Sequence, residues 1–194
     1  MLLIMEVGDS SRLPPDLPVP EDDGAAAGIE GSPIPAIRFA STLEAEIDLR
    51  EVSAGRFVLY VYPRTGVPGQ PSPPGWDEIP GARGCTPENC AFRDHEREIR
   101  DLGATVMGLS SQPLEEQREF SERERIPYPL LSDSQLVLAR ELGLPTFEAA
   151  GMTLYKRLTL IAERHTATKV FYPVFPPDRH PEDVVAWLRD RDAS

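Results

Sequence analysis

The chain has 194 residues, 40% of them hydrophobic and 27% charged, which fits one globular domain with appendages and a sizeable core. A formal net charge of −12 argues against nucleic acid or an anionic membrane as the main partner. Two cysteines are too few for a disulfide framework, and the three histidines, His95, His165 and His180, fall at no metal-ligand spacing, so no metal is expected.

The opening stretch, MLLIMEVGDSS, has a short apolar run without a basic leader, less than a secretory signal needs. No stretch approaches the roughly 20 apolar residues of a membrane span. The expectation is a cytoplasmic protein without membrane contact, whose thiols stay reduced unless they cycle. Residues 8–35 are rich in Pro, Gly, Asp, Glu and Ala and read as an extended, loosely ordered arm. This separates an arm, 1–35, from a domain, 36–194.

FVLYVY, 57–62, is rich in aromatic and β-branched residues and predicts a buried central strand, ended by Pro63. Residues 64–81 hold five prolines and can only be a loop, of a length that is usually functional or disordered. Thr86-Pro87-Glu88-Asn89 opens a helix, with Pro suited to the first turn and the acid to the positive end of the dipole. Phe92, Ile99 and Leu102 form its apolar face and Gly103 stops it. Then come a second buried strand over 104–111, a polar helix over 113–125, a short strand in 128–133, and a helix over 134–142 stopped by Gly143. The segments 152–163 and 168–175 read as two adjacent strands, joined by a longer hairpin loop through Glu163-Arg164-His165-Thr166. Pro181 starts a last helix with Val184, Val185, Trp187 and Leu188 inward. The order β-α-β-α-β-α-β-β-α implies an α/β fold, a mixed central sheet with helices on both faces.

Both cysteines fall in ARGCTPENCAFRD, 82–94. Cys85 lies at the mouth of the first long helix, where unpaired backbone N–H groups favour negative charge. A thiol so placed is expected to have a lowered pKa and to be the nucleophile. Cys90 lies within the same helix, with a Cα roughly 8–9 Å from that of Cys85 by helix geometry. A disulfide needs less than about 7 Å, so the two cannot bond while the helix is intact. The alternative is that each is an inert small hydrophobe. That reading competes for Cys90 and is weaker for Cys85, which sits at a chain reversal.

At these residues the sequence resembles the peroxiredoxins, and among them the bacterioferritin-comigratory, or Q-type, branch. The matching features are Tyr62-Pro63 ending a strand, Gly84-Cys85-Thr86, Cys90 five positions on, Phe92-Arg93-Asp94, the strand GATVMGLSS and the YPLLSD segment. The resemblance covers about 39–192. It implies a thioredoxin-like fold and a thiol peroxidase without metal, haem or flavin. Cys85 would be the peroxidatic cysteine, oxidised to a sulfenic acid, and Cys90 the resolving one, condensing with it to a disulfide. A thioredoxin-type dithiol would reduce that disulfide. Arg157 occupies the place of the family arginine that stabilises thiolate and peroxide, with Lys156 expected on the opposite strand face. Q-type relatives are often monomers, so a monomer or weak dimer is expected.

The chain departs from the P-x-x-x-T-x-x-C signature. Pro63 is separated from Cys85 by an insert, and Ala82 stands where the family has its threonine. Thr65 is the candidate replacement hydroxyl donor. Pro63, Gly84 and Thr86 complete the expected substrate site, Thr86 being the weaker hydroxyl candidate and a helix cap. Arg83 is a candidate second cation near the sulfur, and Trp76 a candidate anchor for the insert. Two other readings stay open: a thiol-disulfide oxidoreductase on the same fold, and a redox-sensing binding protein with little turnover.

Overall fold

The computed structural model describes residues 13–193; the apolar opening run and the first part of the arm lie outside the described residues. Its centre is β3, Arg56–Val61, with Phe57 to Val61 wholly buried. A run this continuously apolar needs cover on both faces, and alternate side chains divide between them. Phe57, Leu59 and Val61 point into one core and Val58, Tyr60 and Tyr62 into the other.

β3 pairs in parallel with β4, Ala104–Ser110, and β4 in parallel with β5, Leu130–Ser132. On its other side β3 pairs antiparallel with β8, Leu158–Glu163, and β8 with β9, Thr166–Phe171. At the far edge lie β1, Arg38–Ser41, and β2, Ile47–Asp48, giving the order β2-β1-β5-β4-β3-β8-β9. Helix α2, Cys85–Asp101, buries Phe92 and Ile99 against one face, beside Phe120 of α3, Leu114–Glu124, and Val184 and Leu188 of α5, His180–Asp192. The short α1, Leu49–Val52, and α4, Val137–Leu142, cover the other face through Leu49, Leu138 and Leu142. The architecture is thus the expected thioredoxin-like mixed sheet with helices on both faces. Among the described residues no helix is long and apolar enough to cross a membrane.

Several local expectations are corrected. β1, β2 and α1 were absent from the sequence reading. The segment 152–163 is not one strand. Its first part, β7, Met152–Tyr155, turns back on β6, Thr146–Ala149, as a separate hairpin, and only β8 joins the main sheet. The hairpin link between β8 and β9 is shorter than expected, two residues, Arg164 and His165, both with positive φ, the backbone of a tight turn. α4 starts only at Val137, where the Asp133 carboxylate accepts the N–H groups of Val137 and Leu138.

The described part of the arm, from residue 13 on, packs on the domain. Gly31 and Ile34 donate to the carbonyls of Ala167 and His165 at 2.8 Å each, and Ile29 and Ile34 are buried in the core with Phe39 and Tyr155. Further out, Asp23 accepts from Lys156 Nζ at 2.5 Å and from the Tyr172 hydroxyl at 2.7 Å. Composition alone suggested too little apolar surface to order this segment. Two well-placed isoleucines and a sheet edge with free hydrogen-bonding groups supply the anchorage.

Candidate active site

The site lies where β3 ends. Pro63 is buried, and its carbonyl accepts the Ser110 hydroxyl at 2.9 Å, tying the two strand ends together. The next residue, Arg64, presents its backbone N–H to the sulfur of Cys85. Thr65 is buried and bound to Gln112, whose Oε1 accepts its N–H at 2.7 Å and its hydroxyl at 3.2 Å. The insert then leaves the surface of the fold and returns. Trp76 opens a single 3-10 turn and is buried against Ala82 and Leu154, its ring 6.3 Å from that of Phe147. The insert is therefore an excursion pinned at both ends, and it leaves the Pro63–Arg64 backbone beside the thiol.

Gly84 sets the nucleophile. Its φ of +101° lies in a region that L side chains rarely adopt, and a Cβ there would approach Pro177 Cγ to 2.6 Å and Leu13 Cδ2 to 2.7 Å. Glycine thus satisfies a conformational and a steric requirement together. Helix α2 begins at the next residue, with Gly84 as its cap and no side-chain cap. Thr86 therefore lies within the first turn, buried, and does not cap the helix as expected. The reason is that the chain enters through a left-handed glycine one residue earlier.

Cys85 is only 3% exposed. Its Sγ lies 3.2 Å from Arg157 Nη2 and 3.6 Å from the Ala82 carbonyl oxygen. Arg157, equally buried, donates through the same Nη2 to the carbonyls of Gly81 at 3.2 Å and Arg83 at 3.1 Å, and through Nη1 to Glu88 Oε2. Arg157 Nε and Glu88 Oε1 have no hydrogen-bond partner among the described residues. Lys156 points the other way, to Asp23. The Arg83 guanidinium does not reach the sulfur. It binds Ser72 and Asp77, both at 3.1 Å, and so braces the insert.

The electrostatics correct the expectation of a lowered thiol pKa. Burial pushes the Cys85 thiol above its ordinary value; Arg157 pulls it down and Glu88 pushes it up again. Burial also raises the Glu88 carboxyl to about 7, against the pull of Arg157. In the closed site the guanidinium is thus divided between two acids, and the sulfur gains less than an undivided cation would provide.

Cys90 shares α2 with Cys85 and is half-buried, its Sγ 3.6 Å from Glu124 Oε2 at the end of α3. Burial, aided by Glu124 and opposed by Arg93, pushes this thiol up to about 11. The helix is intact between the two thiols, so the geometric bar to a disulfide applies in this conformation. Its first turn is held from beneath. The Tyr60 hydroxyl donates to Asn89 Oδ1 at 2.6 Å, Tyr128 to the Asn89 carbonyl at 3.2 Å, and Asn89 Nδ2 to the Cys85 carbonyl at 2.8 Å. Among the described residues no group of three or more His, Cys, Asp or Glu could hold a metal ion.

The sequence profile of the Redoxin family matches residues 29–188. The chain belongs to this family, in its Q-type peroxiredoxin branch. Chloroplastic peroxiredoxin Q of Gentiana triflora is 29% identical over 182 residues, 91% of this chain and 76% of that one. Among solved structures, the peroxidoxin BcpB of Mycobacterium tuberculosis superposes with a TM-score of 0.67 at 28% identity, covering 83% of this chain and 96% of the other. A peroxiredoxin Q of Xylella fastidiosa superposes with a TM-score of 0.68 at 19% identity, covering 84% and 96% of the two chains; at that identity the likeness speaks for the fold alone. The chain is thus a peroxiredoxin oxidoreductase, a thiol peroxidase in general terms.

Within this peroxiredoxin the structure brings Cys85, Arg157, Pro63, Gly84 and Thr86 together. It directs the Thr65 hydroxyl to Gln112 and turns Cys90 toward α3. Sequence reasoning missed Glu88, Gln112, Tyr60 and Asn89 as parts of the site. Glu88 carried a usable signal, since a residue three positions after Cys85 in a helix shares its face. Gln112 carried none, because only the fold brings it to Thr65.

Proposed function

We propose that Cys85 reduces hydrogen peroxide and small organic hydroperoxides and that Cys90 resolves the product. The observation that carries this reading is the 3.2 Å approach of Arg157 Nη2 to Cys85 Sγ, at the start of a helix that also holds the second thiol. The ionised sulfur attacks the terminal peroxide oxygen. An S–O bond forms as the O–O bond breaks, and water or an alcohol leaves with the proton that ionisation of the thiol released. Arg157 steadies the anionic sulfur and the peroxide oxygen, with the Arg64 N–H as a second donor. Pro63, Gly84 and Thr86 frame the sulfur. Thr65 is proposed as the hydroxyl donor, a role that requires its hydroxyl to turn from Gln112 to the peroxide.

The first turns of α2 then unwind, and Cys90 condenses with the sulfenic acid to a disulfide, releasing water. A thioredoxin-type dithiol restores the two thiols by exchange. We propose the cytoplasm as the compartment, which keeps such a dithiol reduced, and a monomer or weak dimer as the working form. The test is stopped-flow oxidation followed by mass spectrometry of the peroxide-treated protein. The reading requires fast oxidation at micromolar peroxide and a Cys85–Cys90 linkage. Full peroxide consumption by Cys85→Ser would rule it out. Slow Cys85 oxidation, with a disulfide formed readily from oxidised dithiols, would favour the exchange reading.

A further inference from the structure

The chain leaves β3 through Tyr62, Pro63 and Arg64 and enters the insert at Thr65. Residues 66–75 form no helix or strand, so no regular structure beyond Thr65 holds the root of the insert. The peptide at that root matters, because the Arg64 N–H faces the Cys85 sulfur. On one side of Arg64 the chain is tied by Ser110, whose hydroxyl donates to the Pro63 carbonyl at 2.9 Å. On the other side, among the described residues, Thr65 is tied by Gln112 alone.

Gln112 is buried and spends both ends of its amide on this turn. Oε1 accepts the Thr65 N–H at 2.7 Å and the Thr65 hydroxyl at 3.2 Å. Nε2 donates to the Thr65 carbonyl at 3.4 Å and to Glu116 Oε2 at 2.9 Å. Two donors facing one end and two acceptors facing the other decide which way the amide points. The backbone of Gln112 is itself held. Its N–H donates to Ser110 Oγ at 3.2 Å, and its carbonyl accepts from the Ser132 hydroxyl at 2.7 Å and from Gln117 Nε2 at 3.3 Å. The two Thr65 bonds to Oε1 are unequal, the backbone one short and the hydroxyl one long. The hydroxyl can therefore swing away while the peptide stays anchored.

We propose that Gln112 is a positioning residue for peroxide reduction: it keeps the Arg64–Thr65 peptide turned so that the Arg64 N–H aims at the sulfur, and it holds the Thr65 hydroxyl until peroxide enters. The inference rests on the thiol peroxidase reading above and adds a residue that acts only through its neighbours. A donor fixed before the reaction stabilises developing charge without rearranging at the moment of attack. A misplacement of about 1 Å can cost about 100-fold in rate. The bonds made and broken are unchanged: the S–O bond forms, the O–O bond breaks, Cys85 is oxidised to the sulfenic acid, and the peroxide is reduced to water or an alcohol.

The test follows Cys85 oxidation by hydrogen peroxide in stopped flow across pH, with the full chain in a Cys90→Ser background. The plateau rate at high pH reports the fully ionised sulfur and is blind to shifts in its ionisation; urea midpoints report stability separately. In Gln112→Leu the plateau rate is expected to fall about 10–100-fold. That variant leaves the Thr65 N–H unpaired and could fail to fold, so a charge-conserving exchange is measured beside it. Gln112→Glu alone loses the donor and sets a carboxylate against Glu116; a similar fall is expected. Gln112→Glu combined with Glu116→Gln puts a donor back opposite the new carboxylate and should return the plateau to within about threefold of the parent. The exchange gives up only the longest Gln112 contact, to the Thr65 carbonyl, and the 3.7 Å pair of Arg64 with Glu116, which is partly exposed and contributes little. A parent-like plateau in Gln112→Leu with only the urea midpoint lowered, or equal losses in Gln112→Glu and the exchange, makes Gln112 a structural bond and overturns the assignment. Failure of peroxide to oxidise Cys85 in the parent overturns the peroxidase reading instead.

Discussion

Arg157 holds Cys85 and Glu88 with the two ends of one guanidinium, Nη2 standing 3.2 Å from Sγ while Nη1 donates to the carboxylate. Cys85 and Glu88 therefore compete for one buried cation. Removing the cation and removing the competitor should have opposite effects on the sulfur. Arg157→Met is expected to raise the Cys85 pKa and to slow its oxidation about 10–100-fold, the scale of a lost charge-assisted hydrogen bond of about 1.5–3 kcal/mol. Glu88→Gln is expected to lower the Cys85 pKa, because the Glu88 charge pushes that thiol up. Thiolate absorbance near 240 nm against pH, in a Cys90→Ser background, reads both. Shifts of the same sign in the two variants would contradict the competition.

The tyrosine lock under α2 bears on resolution. Tyr60 and Tyr128 both bond Asn89, which in turn bonds the Cys85 carbonyl, so the turn that must unwind is tied to the sheet. In Tyr60→Phe the buried Asn89 Oδ1 loses its 2.6 Å donor, at a cost of about 1–2 kcal/mol to the closed state. The open state, with Asn89 in water, is spared that cost. Disulfide formation after a single peroxide pulse should therefore quicken roughly 5–30-fold, with the sulfenate-forming step little changed. An unchanged resolution rate in a less stable protein would show that unwinding is controlled elsewhere.

What the sequence made legible follows from where information is local. β3 and β4 were readable because strands covered on both faces are apolar throughout. The start of α2 was readable to within a residue from Thr86-Pro87-Glu88-Asn89. β1 and β2 are two to four residues long with a half-exposed pattern, and their pairing partners, not their composition, make them strands. The break in 152–163 was hidden because Lys156 and Arg157 read as strand residues facing opposite sides. In fact they mark the point where the chain leaves the β6–β7 hairpin for the main sheet. The thiol's environment was the least legible feature. Its burial among Tyr60, Tyr62 and Phe92, with Arg157 against the sulfur, is brought about by tertiary contacts with no local signature.

The packing around Gly84, the residue before the nucleophile, is testable in its own right. In Gly84→Ala the methyl group would meet Pro177 and Leu13 at well under contact distance, at a φ of +101°. Strain of this kind costs about 1–3 kcal/mol. The denaturation midpoint should fall accordingly at constant m-value. Leu13 is part of the obstruction, so the arm should also be displaced, and limited proteolysis around residues 13–20 should accelerate relative to the core. A fully stable variant with a protected arm would mean that neither neighbour presses on this position.

The last prediction concerns pH. His180 is buried at the start of α5, with Nε2 2.9 Å from Thr159 Oγ1 and its ring 5.1 Å from Phe171 and 5.9 Å from Phe92. Burial lowers its pKa from 6.5 to about 4, with Asp183 opposing and Arg157 adding to the shift. A histidine lowered on folding binds fewer protons in the native state than in the unfolded one. Its contribution is therefore complete above pH 6.5 and is lost progressively as the pH falls toward 4, by at most about 3 kcal/mol. His180→Gln keeps a group able to bond Thr159 and cannot take up a proton in this range. It should be less stable at pH 7, where the aromatic packing is missed, and lose less stability between pH 6.5 and 4 than the wild type. Urea unfolding across that window checks the slope, and parallel curves for the two proteins would show that His180 is not the group that titrates.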